Sequence, residues 1–146
     1  MTEERRMNGV EFLNQIPQAD AKVKKMRARV ESLEALATDI ARHMNGPIGH
    51  GQADADKIGT LAAEICDAKQ ELAEAEEAAG EIRERIGRMI CQIEDERITK
   101  IMMKRFLHGM KWKEIAADLR YSEQWIYTLR VRGITEIEML LSDGRE

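Results

Sequence analysis

The sequence has few aromatic residues, prolines and cysteines, and each scarcity excludes a class of protein. Aromatic side chains make up 4% of the 146 residues, which argues against a sheet protein, because sheets are rich in aromatic and β-branched residues. Only two prolines interrupt the chain, so long helices are possible. Cys66 and Cys91 have neither CxxC spacing nor a histidine nearby in sequence. We expect both to be free thiols in a reducing compartment.

Long apolar runs are missing as well. No run approaches the roughly 20 residues that span a bilayer, and the segment Met1–Gly9 is charged rather than apolar, unlike a signal peptide. The residues that dominate are strong helix formers such as alanine, glutamate, leucine, lysine and arginine. The composition therefore predicts an all-α, cytoplasmic protein without a membrane partner.

Charge is distributed unevenly along the chain. Residues 1–96 carry 13 basic and 20 acidic side chains, a net charge of −7. Residues 97–132 carry 9 basic and 3 acidic side chains (+6), and residues 133–146 carry 1 and 4 (−3), which gives the total of −4. A basic island in an acidic chain is typical of a local phosphate-binding face, although a solvated helix face is the alternative.

Two long stretches place apolar residues at heptad spacing, the pattern of a coiled coil. The first register is Val23, Met26, Val30, Leu33, Ala37, Ile40 and Met44. The second register is Ile58, Leu61, Ile65, Ala68, Leu72, Ala75, Ala79, Ile82, Ile86, Met89 and Ile93. The glycine- and proline-containing segment Asn45–Asp54 between them suits an antiparallel turn. Residues 1–94 are therefore predicted to form a helical hairpin, an antiparallel coiled coil.

The second predicted helix is longer than the first, so its later part, Ile82 to Ile93, needs another partner. The apolar side chains of the short segment Met7–Ile16 can supply it. We expect Pro17 to separate this short helix from the long one, because the residue before a proline is disfavoured in the α region.

The heptad register fails at Glu96, where the charge also changes sign, so a second module is predicted over residues 95–146. Three short helical stripes follow. The first ends at His108-Gly109 with glycine in the usual terminal position, the second contains Trp112, and Ser122 can cap the third. The inward residues of the third helix are Ile126, Leu129, Ile134 and Ile137. A short helix, a tight turn and a capped helix indicate a helix-turn-helix, whose last helix can enter a major groove about 12 Å wide.

These residues resemble two related groups. The string RFLHGMKWKEIAADLRYSEQWIYTLRVRGITEIEML looks like the C-terminal helix-turn-helix of sigma region four, in which a capping Ser or Thr precedes apolar residues at fixed spacing. Those positions here are Ile126, Leu129, Gly133, Ile134 and Ile137, and Gly133 is a tolerable departure from the usual alanine. With its hairpin, the whole chain resembles phage and prophage regulators of the ArpU and RinA type, which are associated with control of late genes.

The resemblance implies a DNA-binding surface. It assigns the base edges to Glu123, Gln124, Tyr127 and Thr128, and the phosphates to Arg130 and Arg132. It assigns backbone contacts to Lys111, Lys113 and Arg120, and the capping Ser122 belongs to the same predicted DNA-binding set. Arg120 stands where the family usually has glycine, at a position that often needs a left-handed backbone. Lys111 replaces the Ser or Thr that would cap the second helix.

The two tryptophans have open alternatives. Trp112 is interpreted as a core anchor rather than a base stacker. Trp125 either touches DNA or packs locally, and Tyr127 is expected to face outward.

The predicted function is sequence-specific DNA binding in transcriptional regulation. The alternatives are a sigma-like or RNA polymerase-binding adaptor, a DNA-packaging protein like a small terminase subunit, and a protein-interaction module. Because so thin a hairpin buries little area, we expect either self-association through the coiled coil or packing against the C-terminal module. No nucleophile has a base at motif spacing, and His43, His50 and His108 lack metal-ligand spacing. We therefore expect no catalytic, cofactor or metal site and no enzyme.

Overall fold

The computed structural model describes residues 8–44 and 52–144, and every regular element in these ranges is helical. The prediction of an all-α protein is confirmed. The elements are α1 (Gly9–Leu13), α2 (Gln15–Met44), α3 (Gln52–Cys91), α4 (Glu96–Met102), a π-helical segment (Met103–Leu107), α5 (Trp112–Leu119) and α6 (Glu123–Ser142). Most of the predicted connection Asn45–Asp54 lies outside the described residues. None of the helices in those ranges combines the length and apolar character that crossing a membrane requires.

The chain forms two compact units. One, called here the paired-helix unit, spans Ala19–Ala79. The other, called the core unit, joins the residues up to Gln18 with those from Gly80 onward. The predicted division between residues 94 and 95 stays a prediction, and Asp95 itself is the residue that caps α4.

In the paired-helix unit, ion pairs define how α2 and α3 run. As residue numbers rise along α2, those of the partners fall along α3, so the two segments are antiparallel. The pairs are Arg27–Glu76 (3.1 Å), Arg29–Glu71 (3.5 Å) and Glu34–Lys69 (3.0 Å). All six side chains are about half exposed, so each pair contributes at most about 1 kcal/mol and serves mainly to fix the register.

The apolar seam of this unit is thin. Its fully buried residues all occupy predicted heptad positions, and they are Val30, Leu61, Ala68, Ala75 and Ala79. The alanines allow the helices to approach closely, but each buries little apolar surface. The other seam residues described, such as Leu33 and Leu72, are half-buried or, for Ile58, exposed.

At the start of the core unit, the boundary between the first two helices differs from the prediction. Asn8 caps α1 by accepting a hydrogen bond from the Glu11 N–H (2.8 Å), and α1 ends at Asn14 rather than at Pro17. Pro17 instead lies in the first turn of α2, where a proline removes no intrahelical hydrogen bond because the first N–H groups have no partner. The predicted break at Pro17 was therefore wrong by three residues.

The core of this unit combines residues from all of its helices. Phe12, Leu13 and Ile16 share one buried cluster with the late α3 residues Ile86, Met89, Ile90 and Ile93 and with α4, α5 and α6. The guanidinium of Arg85 lies 5.4 Å from the centroid of the Phe12 ring. The core thus includes the short N-terminal helix, far in sequence from the rest.

Helix α6 approaches α4 closely at Gly133. A Cβ atom at this position would lie 2.9 Å from Met102 Sδ and 3.0 Å from Ile98 Cγ2. Both neighbours are buried and cannot easily move. A side chain at position 133 would therefore require at least Met102 to shift, so the departure from alanine that looked merely tolerable in the sequence has a structural cause.

Candidate nucleic-acid interface

The approach to α5 contains a π-helical segment that the sequence did not predict, and it ends at His108-Gly109, as the sequence did predict. After α4, residues Met103–Leu107 form a π-helical segment, and Gly109 at φ 69° then reverses the chain. Lys104 Nζ, in this segment, lies 2.7 Å from Asp118 Oδ2 of α5. That hydrogen bond holds the pKa of Asp118 below its ordinary value. This ion pair holds the π-helical segment against α5. It also pairs Lys104, one of the basic residues of the 97–132 island, with a carboxylate of the protein itself.

Helix α5 begins without a conventional cap. Lys111 is in the cap position and has no side-chain oxygen, as the sequence indicated. Its own N–H donates to Glu114 Oε2 (3.4 Å). Glu114 thus provides the half of a capping box in which the third helical residue reaches back to the cap.

The turn between α5 and α6 is closed by Arg120 in the left-handed conformation, with φ 57° and ψ 40°. It is the one non-glycine residue with positive φ in the described part of the chain. The Tyr121 N–H donates to the Ala116 carbonyl (2.9 Å) and the Arg120 N–H to the Ala117 carbonyl (3.4 Å). These are the two bonds of a Schellman motif, the usual glycine-containing helix end.

Ser122 caps α6, as predicted. Its Oγ accepts a hydrogen bond from the Trp125 N–H (3.1 Å), and its own backbone is extended. The bond satisfies one of the N–H groups that a helix start leaves without an intrahelical partner. It also fixes the residue at which α6, and hence its outward face, begins.

Replacing Ser122 by alanine is expected to lower the free energy of unfolding by about 1 kcal/mol, because the Trp125 N–H loses its acceptor. Urea unfolding followed by tryptophan fluorescence measures the loss. The Ser122→Asp variant is the matched control, since a carboxylate caps equally well and should preserve the stability. Equal stability of the alanine variant and the wild-type protein would contradict the capping role.

The inward face of α6 is buried against α4 and α5. Ile126, Leu129 and Ile137 are buried and belong to the core cluster, as the sequence predicted, whereas Ile134 is half-buried. Ile115 and Ala116 of α5 are in the same cluster. The core therefore fixes which side of α6 remains available to a ligand.

On one side of α6, Arg130 lies beside the α5 residue Trp112, whose ring has two guanidinium groups near it. Trp112 packs partly buried against the core, with the Phe106 ring edge-on at 6.1 Å between centroids. The guanidinium carbons of Arg130 and Arg105 lie 5.2 and 5.5 Å from the Trp112 ring centroid, within cation–π distance. Trp112 is thus a core anchor that also orients cations.

The other side of α6 has the same arrangement. Trp125 is partly buried against the core, and the guanidinium carbons of Arg97 and Arg132 lie 5.4 and 5.9 Å from its ring centroid. Arg97 also donates to both carboxylate oxygens of Asp95, and this bonding lowers the pKa of Asp95. Trp125 therefore has local packing partners, and its contact with DNA stays a prediction.

The outward face of α6 lies between two arginine–tryptophan pairs, Arg130 with Trp112 and Arg132 with Trp125. Glu123, Gln124, Tyr127 and Arg132 are exposed, and Thr128 and Arg130 are half-buried. Tyr127 retains 63% of its surface, in accordance with the outward orientation expected for it. Val131, which retains 46%, also belongs to this face but was not among the predicted site residues. Helical spacing indicates this position, because residues two apart do not share a face of a helix. Val131 is two residues from both Leu129 and Gly133, which are buried, so it points away from the core.

The remaining predicted cations lie around the start of α5 and the turn. Lys111, Lys113 and Arg120 are exposed, and within residues 8–44 and 52–144 they form no ion pair. Lys113 lines a cleft between α5 and α6 together with Trp112, Glu123, Tyr127 and Arg130. The structure thus brings several of the predicted site residues together. Arg97 and Arg105 also belong to this surface, beside Trp125 and Trp112. Neither was a predicted site residue, because each lies on a different helical segment from its tryptophan and meets it only in the folded chain.

Comparisons with protein-family models, with curated proteins and with solved structures give no match for this chain. The candidate interface is therefore defined by its own contacts: a capped α6, a left-handed turn before it, and an arginine–tryptophan pair on each side. The resemblance to sigma region four and to the phage regulators stays a prediction.

Proposed function

We propose that this protein is a sequence-specific DNA-binding transcriptional regulator in which α5, the Arg120 turn and α6 act as a helix-turn-helix. The observation that carries the proposal is the outward face of α6 between its two arginine–tryptophan pairs. A Schellman turn and a serine cap support it, because together they set α6 at a fixed angle to α5. In this arrangement α6 is the recognition helix.

The cations suit the geometry of a duplex. Arg130 and Arg132 are two residues apart, so they leave α6 on different sides, and each is held beside a tryptophan ring. A helix in the major groove has a phosphate backbone on either side of it, which is where these two guanidinium groups would bind. Arginines oriented in advance lose less side-chain entropy when they bind phosphate. Lys111, Lys113 and Arg120 would add backbone contacts at the start of α5 and at the turn.

The tip of α6 offers polar groups that can distinguish base pairs. Gln124 can form two hydrogen bonds with adenine, and Glu123 can accept from the amino group of cytosine. Tyr127 and Thr128 complete the base-reading surface that we assign to this helix. Phosphate contacts would position the protein, and these side chains would supply its specificity.

We assign regulation of phage late genes to the protein on the strength of the resemblance stated above. In this proposal the paired-helix unit contacts protein, either RNA polymerase or a second copy of the chain. The protein acts in the cytoplasm and catalyses no reaction.

A salt titration of duplex binding tests the proposal. With genomic fragments from the protein's own locus, the logarithm of the association constant is expected to fall linearly with the logarithm of salt concentration, by about 0.9 per phosphate neutralised. Arg132→Ala should reduce this slope by about 1. Arg88→Ala is the control, because Arg88 is an exposed arginine of α3 that pairs with Glu84, outside the interface. Binding that is absent, or independent of salt, on every fragment would refute the proposal.

A further inference from the structure

The centre of the outward face of α6 combines an exposed valine with two threonines. Thr128 Oγ1 donates to the Gln124 carbonyl (3.2 Å), and Thr135 Oγ1 donates to the Val131 carbonyl (2.9 Å). Because both hydroxyl protons are used within the helix, each threonine offers a ligand its methyl group and an acceptor oxygen, but no donor.

Val131 lies between these two threonines. It follows Thr128 by three residues and precedes Thr135 by four, so the three side chains are neighbours on one face. Together they form what we call the methyl stripe: Thr128, Val131 and Thr135. Val131 is an exposed aliphatic residue in the middle of a surface flanked by cations, where a polar residue would be the rule.

The major groove contains one apolar group on its base-pair edges, the C5-methyl of thymine, and threonine methyls and aliphatic side chains are its usual protein contacts. We propose that the methyl stripe of α6 packs against thymine methyls, so that the preferred duplex carries thymines opposite Thr128 and Val131. These two residues are about 4.5 Å apart along the helix axis, at 1.5 Å per residue. Because base pairs are roughly 3.4 Å apart, two side chains at this separation can reach adjacent or next-adjacent pairs.

Gln124 extends this specificity. It precedes Thr128 by four residues and therefore lies on the same face, and its amide matches adenine. The recognised element is accordingly a run of A·T pairs read from the major groove. This inference rests on the proposed function, since it assumes that α6 enters that groove.

The experiment uses the full chain and a duplex selected by it from a random-sequence library. Each thymine of the selected site is replaced singly by deoxyuridine, which removes only the C5-methyl. We expect about a fourfold loss of affinity for each contacted thymine, the value for one methyl-sized apolar group withdrawn from contact. The Val131→Ala variant should bind the selected duplex about fourfold more weakly than the wild-type protein. Its affinity should not fall further when the thymine that Val131 contacts is replaced by deoxyuridine. Leu36→Ala is the control, because Leu36 is an exposed apolar residue (49%) of α2 in the paired-helix unit, outside α6, and it should retain the wild-type affinity and response.

Two outcomes would overturn the inference in distinguishable ways. If the wild-type protein binds the selected duplex with the expected salt dependence but tolerates deoxyuridine at every position, the methyl stripe does not read thymine, while the proposed function stands. That result would assign the stripe to a protein partner instead. If no duplex is selected or bound, both the proposed function and this inference fail.

Discussion

Replacing Gly133 by valine is expected to lower the free energy of unfolding by about 2–3 kcal/mol, the upper part of the range for adding bulk to a close-packed core. The Cβ alone would lie within 3.0 Å of both Met102 Sδ and Ile98 Cγ2. Because these neighbours are buried in the cluster that holds α4 against α6, the new methyl groups can be accommodated only if the two helices separate. Urea unfolding followed by tryptophan fluorescence measures the effect.

The control is a glycine of the core unit that has no such neighbour. Nothing lies within 4 Å of a Cβ built at Gly80 of α3, so Gly80→Ala should raise the stability by about 0.5–1 kcal/mol through helix propensity alone. Opposite signs at the two glycines would establish that close approach, and not flexibility, selects Gly133. A Gly133→Val protein as stable as the wild type would contradict the close approach of α4 and α6.

Replacing Arg120 by glycine is expected to stabilise the fold and to weaken duplex binding. It should raise the free energy of unfolding by up to about 1.5 kcal/mol. A non-glycine residue in the left-handed region costs roughly 1–2 kcal/mol, and the greater freedom of glycine in the unfolded chain offsets roughly 0.5–1 kcal/mol of that gain. If Arg120 contacts a phosphate, as proposed, the same change should weaken duplex binding and reduce the salt slope by about 1.

An Arg120→Asn variant separates the two effects. Asparagine lacks the charge but tolerates the left-handed conformation better than arginine does. It should therefore bind duplex as weakly as the glycine variant while gaining less stability. The phosphate contact would be disproved by a glycine variant that keeps the full salt slope. A loss of stability on substitution by glycine would contradict the strain at Arg120.

Local patterns predicted much of this fold. The heptad spacing identified the buried residues of the paired-helix unit, and the cap at Ser122 followed from residue type and position alone. The left-handed residue at Arg120 was also indicated, since it stands where glycine is usual. These features depend on residues within one or two helical turns of each other, and the sequence shows such neighbours directly.

Other features depend on which individual side chains meet between helices, and the sequence does not display this. The requirement for glycine at position 133 comes from Met102, some thirty residues earlier, and the second guanidinium beside Trp125 comes from Arg97. The predicted break at Pro17 was misplaced because a proline near a helix boundary can follow the end of one helix or lie within the first turn of the next. Pro17 lies within the first turn of α2, so the break comes earlier, at Asn14. Val131 was missed because an apolar residue in a helix is ordinarily assigned to the core.

The distribution of chromophores has a spectroscopic consequence. Both tryptophans and both tyrosines of the chain lie between Trp112 and Tyr127, so the intrinsic fluorescence of the whole protein arises from α5, the Arg120 turn and the first turns of α6. The paired-helix unit contributes only to far-ultraviolet circular dichroism. Melting of that unit alone would therefore leave the emission unchanged while the helical signal fell. Conversely, a ligand that draws Arg130 or Arg132 away from its indole ring would change the emission without any loss of helix.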